Sequence, residues 1–245
     1  MSLAAPISAQ SSTPYLDALS AALERARLAN RVSLSAAARI VENVVAGDGI
    51  VYAFGSGHSQ LAVLELNGRA GSIAALQVLF DPCWGAAEHV QGYGKTLFTE
   101  AMPGPSDCLI AVSHSGATAA AIDVARVARS AGAPVIAVTS PRASGHVRAG
   151  RSTGPRLFEL ADVILDDGAA DADPGISVAG LDVNVGPTST VVAAALLQEV
   201  VVEAVAGLAS RGLEAWVLRP NSESGGREHN GRLRDRYKGR VRRVP

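Results

Sequence analysis

Five short apolar runs punctuate the chain: "IVYAF" at 50, "AALQVLF" at 74, "CLIAV" at 108, "PVIAVTS" at 134 and "DVILD" at 162, several of them separated by segments of helical periodicity. Their apolarity is continuous rather than alternating, which marks strands buried on both faces, and strand–helix alternation marks parallel βαβ units. The reading is an α/β fold built on a doubly wound parallel sheet. A length of 245 residues allows one such domain with a substantial core, and 48% hydrophobic against 18% charged residues excludes a disordered chain. Ahead of the first run, Pro14 opens a helical pattern with Leu16, Leu19, Leu23 and Ala26 on one face. A second helix carries Leu34, Ala37, Ala38, Val41 and Val45 and stops near Gly47-Asp48-Gly49. Residues 81–94, "DPCWGAAEHVQGYG", read as a loop over a site, and residues 141–157 as a mobile surface excursion.

The organisation expected is a flexible start over residues 1–13, one domain over 14–219, and a tail over 220–245. From Asn221 onward eight basic residues face three acids, so the tail is locally basic, yet the formal net charge of the whole chain is -1. Arg232, Arg234, Arg236 and Lys238 alternate at spacing two and would spread around a helix, which argues for a solvated face rather than nucleic-acid binding. The two cysteines, Cys83 and Cys108, read as free thiols of a cytoplasmic protein. No signal-peptide pattern opens the chain. The apolar stretch from Val191 contains Gln198, Glu199 and Glu203, which are costly in a bilayer, so it reads as a buried helix and no membrane partner is expected.

Three predicted helices start with hydroxyls. "VYAFGSGHSQLA" runs a strand into Gly55-Ser56-Gly57-His58-Ser59. "AVSHSGATAA" does the same with Ser113, His114, Ser115, Gly116 and Thr118, and "VGPTSTVVAAALL" places Thr188, Ser189 and Thr190 before an apolar helix. Ser and Thr are ordinary N-caps, so any one of these starts is explained without a ligand. Together they point further, because the carboxyl ends of parallel strands face one side and several helix N-termini can converge on one anion there. Neither of the first two loops has a lysine, and the G-x-x-x-x-G-K-[ST] spacing is absent, so nucleoside triphosphate hydrolysis is not expected. The first loop lacks the third glycine of a dinucleotide fingerprint. No cofactor is called for, and the scattered histidines suggest no metal.

"GSGHS" followed by "SHSGAT" resembles the paired loops of the sugar isomerase (SIS) domain, whose members bind phosphorylated sugars. The likeness extends to stand-alone SIS proteins of similar length through "FGSGHS", "ELNGRAG", "QGYG" in place of "EGYG", "LFELADVILD", "GLDVNVGPTSTVVAAALL" and "EHNGRL". It covers the chain from about residue 15. It implies a flavodoxin-like three-layer α/β/α sandwich, a homodimer or homotetramer with sites near subunit interfaces, and a small phosphorylated sugar as partner. By motif match Ser113, Ser115 and Thr118 would hold the phosphate, with Ser59 beside Gly57, and Thr188 and Ser189 contributing from the third loop. His58 and His114 stand where SIS loops vary.

For this family the resemblance implies chemistry that begins with removal of the C2 proton of an opened sugar phosphate, and a desolvated carboxylate serves as base. Glu65 is the candidate, flanked by Leu64 and Leu66 on the helix leaving the first loop, where SIS isomerases often place a catalytic Glu. Candidates for a second acid are Glu88, which precedes the "GYG" turn, His89, and His229 in the tail, which could pack at a subunit interface and reach over a neighbouring subunit's site. Expulsion of the C3 oxygen would make the protein a lyase, with N-acetylglucosamine 6-phosphate as the substrate the resemblance implies. Reprotonation at C1 would make it an aldose–ketose isomerase, and a non-catalytic phosphosugar sensor is the alternative of another class.

Overall fold

The computed structural model describes residues 13–98, 102–146, 154–168 and 173–242. All five apolar runs are strands: β1 (Val51–Gly55), β2 (Leu76–Leu79), β3 (Cys108–Val112), β4 (Val135–Thr139) and β5 (Val163–Asp166). They form one parallel sheet in the order β2-β1-β3-β4-β5. Every residue of β1, β3 and β4 is buried, as continuous apolarity requires when helices cover both faces.

The helices supply that cover. Pro14–Ala29 (α1) and Arg31–Ala46 (α2) precede the sheet, and Ser59–Leu64 (α3) leaves β1. Ser189–Ser210 (α7) packs against all three of them. Tyr93–Thr96 (α4) and Ala119–Ser130 (α5) pack against each other, and α5 also meets the 3-10 turn Leu157–Leu160. The result is the three-layer α/β/α sandwich. Helix α7 is long and apolar enough to cross a membrane by length and composition, but Val192, Leu196, Val200, Ala204 and Leu208 are buried in the core. Residues 141–146 form a helix (α6), and 147–153 of the expected surface excursion lie outside the described residues. A two-stranded antiparallel hairpin, Ile176–Ser177 (β6) with Asn184–Val185 (β7), was not foreseen.

The basic tail folds back on its own chain. Gly226–Arg236 (α8) buries Leu233, and Tyr237 just beyond it is 2% exposed within the main core. Arg236 stacks over Trp216 with 4.0 Å to the ring centroid and pairs with Asp48 at 2.7 Å; Arg240 pairs with Asp48 at 3.0 Å. These guanidiniums are thus engaged by an aromatic face and a carboxylate of the domain.

Candidate functional site

The strand order reverses between β1 and β3, the place where open α/β sheets form a ligand crevice at the carboxyl ends of their strands. In the parallel register Gly55 lies opposite Val112, so the two loops that follow start side by side. Between them opens a cleft of about 480 Å³, lined by residues of the first loop, the second loop, the 81–94 loop and the start of α7. Gly57 and Gly116 carry the left-handed turns of the two loops, at φ 56° and 58°.

Nearly all residues expected at the site meet here. Gly57, His58, Ser59, Glu88, Ser113, His114, Ser115, Thr118 and Ser189 line the cleft, joined by Thr190, which belongs to the third hydroxyl-rich start. The Thr118 side chain stands at the N-cap of α5; the residue is 8% exposed, and its Oγ1 has no hydrogen-bond partner among the described residues. A buried hydroxyl without a partner costs stability unless something binds it. The first turn of α5 also concentrates the amide dipoles that favour an anion.

The 81–94 loop does lie over the cleft, and Asp81 holds it there. Its carboxylate, fully buried, accepts hydrogen bonds from Ser56 Oγ at 2.8 Å, the amides of Cys83 at 2.9 Å and Gly85 at 2.8 Å, and the Tyr93 hydroxyl at 2.5 Å. Burial alone would raise the Asp81 pKa, but the bonds from Tyr93, Ser56, Gly85 and Cys83 outweigh it and hold the carboxyl below its ordinary range. Gln60 adds bonds to the backbone on both sides of the same residue. Gly85 then packs so closely on Gly57 that a Cβ would meet the Gly57 Cα at 3.0 Å. This brings Glu88 beside the first loop, while the Glu88 carbonyl accepts the Ala120 amide of α5 at 2.9 Å. Trp84, 54% exposed and left-handed at φ 49°, stands at the mouth.

Two acids escaped sequence reasoning. Asp167, 3% exposed at its side chain, meets His114 Nδ1 at 2.6 Å. Its only sequence signal is its place just after the carboxyl end of a predicted strand, where site residues concentrate. Asp173 accepts the amides of Thr188 at 2.7 Å and Ser189 at 3.2 Å, and lines the cleft. Thr188 stands behind the lining: its amide, and its hydroxyl at 3.5 Å, face the Asp173 carboxylate, and it is not among the cleft-lining residues.

Glu65 and His229 do not line the cleft of this chain. Helix α3 ends at Leu64, leaving Glu65 at the C-cap, 45% exposed at its side chain and paired with Arg69, away from the cleft of its own chain. His229 lies on α8, its Nε2 2.9 Å from the Val217 carbonyl, and does not line the cleft.

Residues 14–140, just over half the chain, match the family model described as the SIS domain. The chain belongs to the SIS domain family. A UPF0309 protein of Listeria monocytogenes is 35% identical over 85% of this chain and 89% of its own. A UPF0309 protein of Streptomyces griseus is 32% identical over 93% and 95%. Among solved structures, a phosphoheptose isomerase from Francisella tularensis is similar with a TM-score of 0.49 at 14% identity, covering 78% of this chain and 99% of that one. The SIS match takes in both hydroxyl-rich loops, the Asp81 hub and Glu88, and stops before Asp167, Asp173 and α7.

Proposed function

We propose that this SIS protein is a phosphosugar enzyme that removes the C2 proton of an amino-sugar 6-phosphate and eliminates the C3 oxygen, with N-acetylglucosamine 6-phosphate as the candidate substrate. The observation that carries the reading is the buried Thr118 hydroxyl, without a partner among the described residues, in a hydroxyl-rich loop at the start of α5 and lining the same cleft as Glu88. Ser113, Ser115, Thr118 and the α5 N-terminus would hold the phosphate, with Ser59 opposite. A cleft of about 480 Å³ suits a ligand of hexose phosphate size.

In the opened sugar the C1 carbonyl acidifies C2. Glu88 takes the C2 proton as the C–H pair moves toward C1 and an enolate forms. Return of that pair expels the C3 oxygen, which leaves as water with the proton Glu88 has held. The net change is loss of one water with no oxidant or reductant. An isomerase shares the first half and differs in returning a proton to C1.

A proton NMR time course with N-acetylglucosamine 6-phosphate in heavy water tests the reading. Loss of the C2 signal together with new vinylic resonances is the expected result. Exchange leading to a ketose would replace the lyase with the isomerase, and a silent spectrum with ligand binding intact would leave a phosphosugar sensor.

A further inference from the structure

The described residues lining the cleft include no lysine or arginine, while Glu88 and Asp173 bring two carboxylates into it. A phosphate placed there meets amides, hydroxyls and two histidines. His58 has no carboxylate partner among the described residues, whereas His114 has Asp167 at 2.6 Å. Because a carboxylate accepts, the His114 Nδ1 carries a hydrogen toward Asp167, and Nε2 is the ring nitrogen left for the cleft. We infer that His114, aligned by the buried Asp167, is the counter-charge this site offers a phosphate, so that ligand binding is coupled to uptake of a proton. The inference rests on the phosphosugar reading above.

The charges facing His114 support it. Its hydrogen bond to Asp167 raises the His114 pKa above the ordinary 6.5; burial opposes this, and Asp167, Asp173 and Asp166 add Coulombic support. Glu88 and His58 line the same cleft, and Arg142 of α6 acts electrostatically on Asp166. Above that raised value the free site loses its proton. A bound phosphate dianion favours the charged ring again, so over that interval binding draws a proton from solvent and affinity falls as pH rises.

Titration calorimetry of the full chain with N-acetylglucosamine 6-phosphate, stepped upward in pH from about 7 through the loss of the His114 proton, in buffers of different ionisation enthalpy, counts those protons. The phosphate, with its second pKa near 6, is already a dianion there, so the proton enters the protein. Wild type should take up a fraction of a proton, and His114→Gln none, with affinity near neutral pH weaker by about ten- to a hundredfold. Asp167→Asn keeps the ring and should move the fall in affinity to lower pH, and it decides the matter alone should His114→Gln not fold. Binding without uptake in wild type, unchanged uptake in His114→Gln, or an unmoved profile in Asp167→Asn would each overturn the inference alone. Wild type that binds no phosphosugar would instead overturn the phosphosugar reading beneath it.

Discussion

Thr118 and Glu88 divide the cleft between holding and chemistry. With the only hydroxyl in that loop that is both buried and unpartnered among the described residues, Thr118 has stability to gain from a ligand oxygen. Ser115→Ala with Thr118→Ala should weaken binding of the phosphorylated sugar by roughly 1.5–3 kcal/mol for each charge-assisted bond lost, and leave its unphosphorylated form nearly unaffected, as paired calorimetric titrations would show. Equal losses would put the phosphate elsewhere. Glu88→Gln should lower turnover about 10²- to 10⁴-fold while the ligand-induced rise in melting temperature persists. Glu65→Gln removes one partner of an exposed pair with Arg69, a change of about 0–1 kcal/mol, and turnover should stay near wild type. A large loss there would return Glu65 to the role its sequence position implies.

The 81–94 loop is the element on which the site depends, and one carboxylate organises it. Asp81 satisfies two loop amides, the Ser56 hydroxyl of the first loop and the Tyr93 hydroxyl, so one carboxylate ties the strand-end turn to the covering loop. Asp81→Asn exchanges an ionised acceptor for a neutral amide that must point a donor at one of these groups, and should destabilise the protein by about 1–3 kcal/mol in urea unfolding. The loss of ligand binding should exceed the loss of secondary structure. The pH dependence has a definite sign. A carboxyl held below its ordinary value contributes stability above the unfolded pKa, near 4, and that contribution is lost as pH falls through the lowered folded value. Wild type should therefore lose stability on acidification over that interval, and Asp81→Asn should lose less.

At the scale of the molecule the tail belongs to the domain. Tyr237 sits in the core, and Arg236 and Arg240 tie the same segment to Asp48. Tyr237→Ala should cost about 3–5 kcal/mol, the range for removing a buried aromatic ring, measurable as a lowered denaturation midpoint. A change near zero would mean that the tail is an appendage. Assembly remains a proposal. Val32 of α2 and Val202 of α7 are exposed on helices that pack together, and light scattering should give a mass above the 25.0 kDa of one chain.

The sequence by itself determined the five strands, their parallel sense and the hydroxyl-rich loops after β1 and β3. These follow from local chemistry: strands buried on both faces need unbroken apolarity, and helix starts need caps whatever surrounds them. Only the tertiary structure decided which acids face the cleft. Glu65, Glu88, Asp167 and Asp173 are alike as residue types, and their fates depend on where α3 stops, on a loop drawn inward by Asp81, and on a strand end four positions across the sheet from β2. The same holds for the third hydroxyl-rich start, whose Thr188 amide is occupied by Asp173 from 15 residues earlier in the chain. A side chain's partner across such distances is set by packing of whole elements, which local periodicity does not encode.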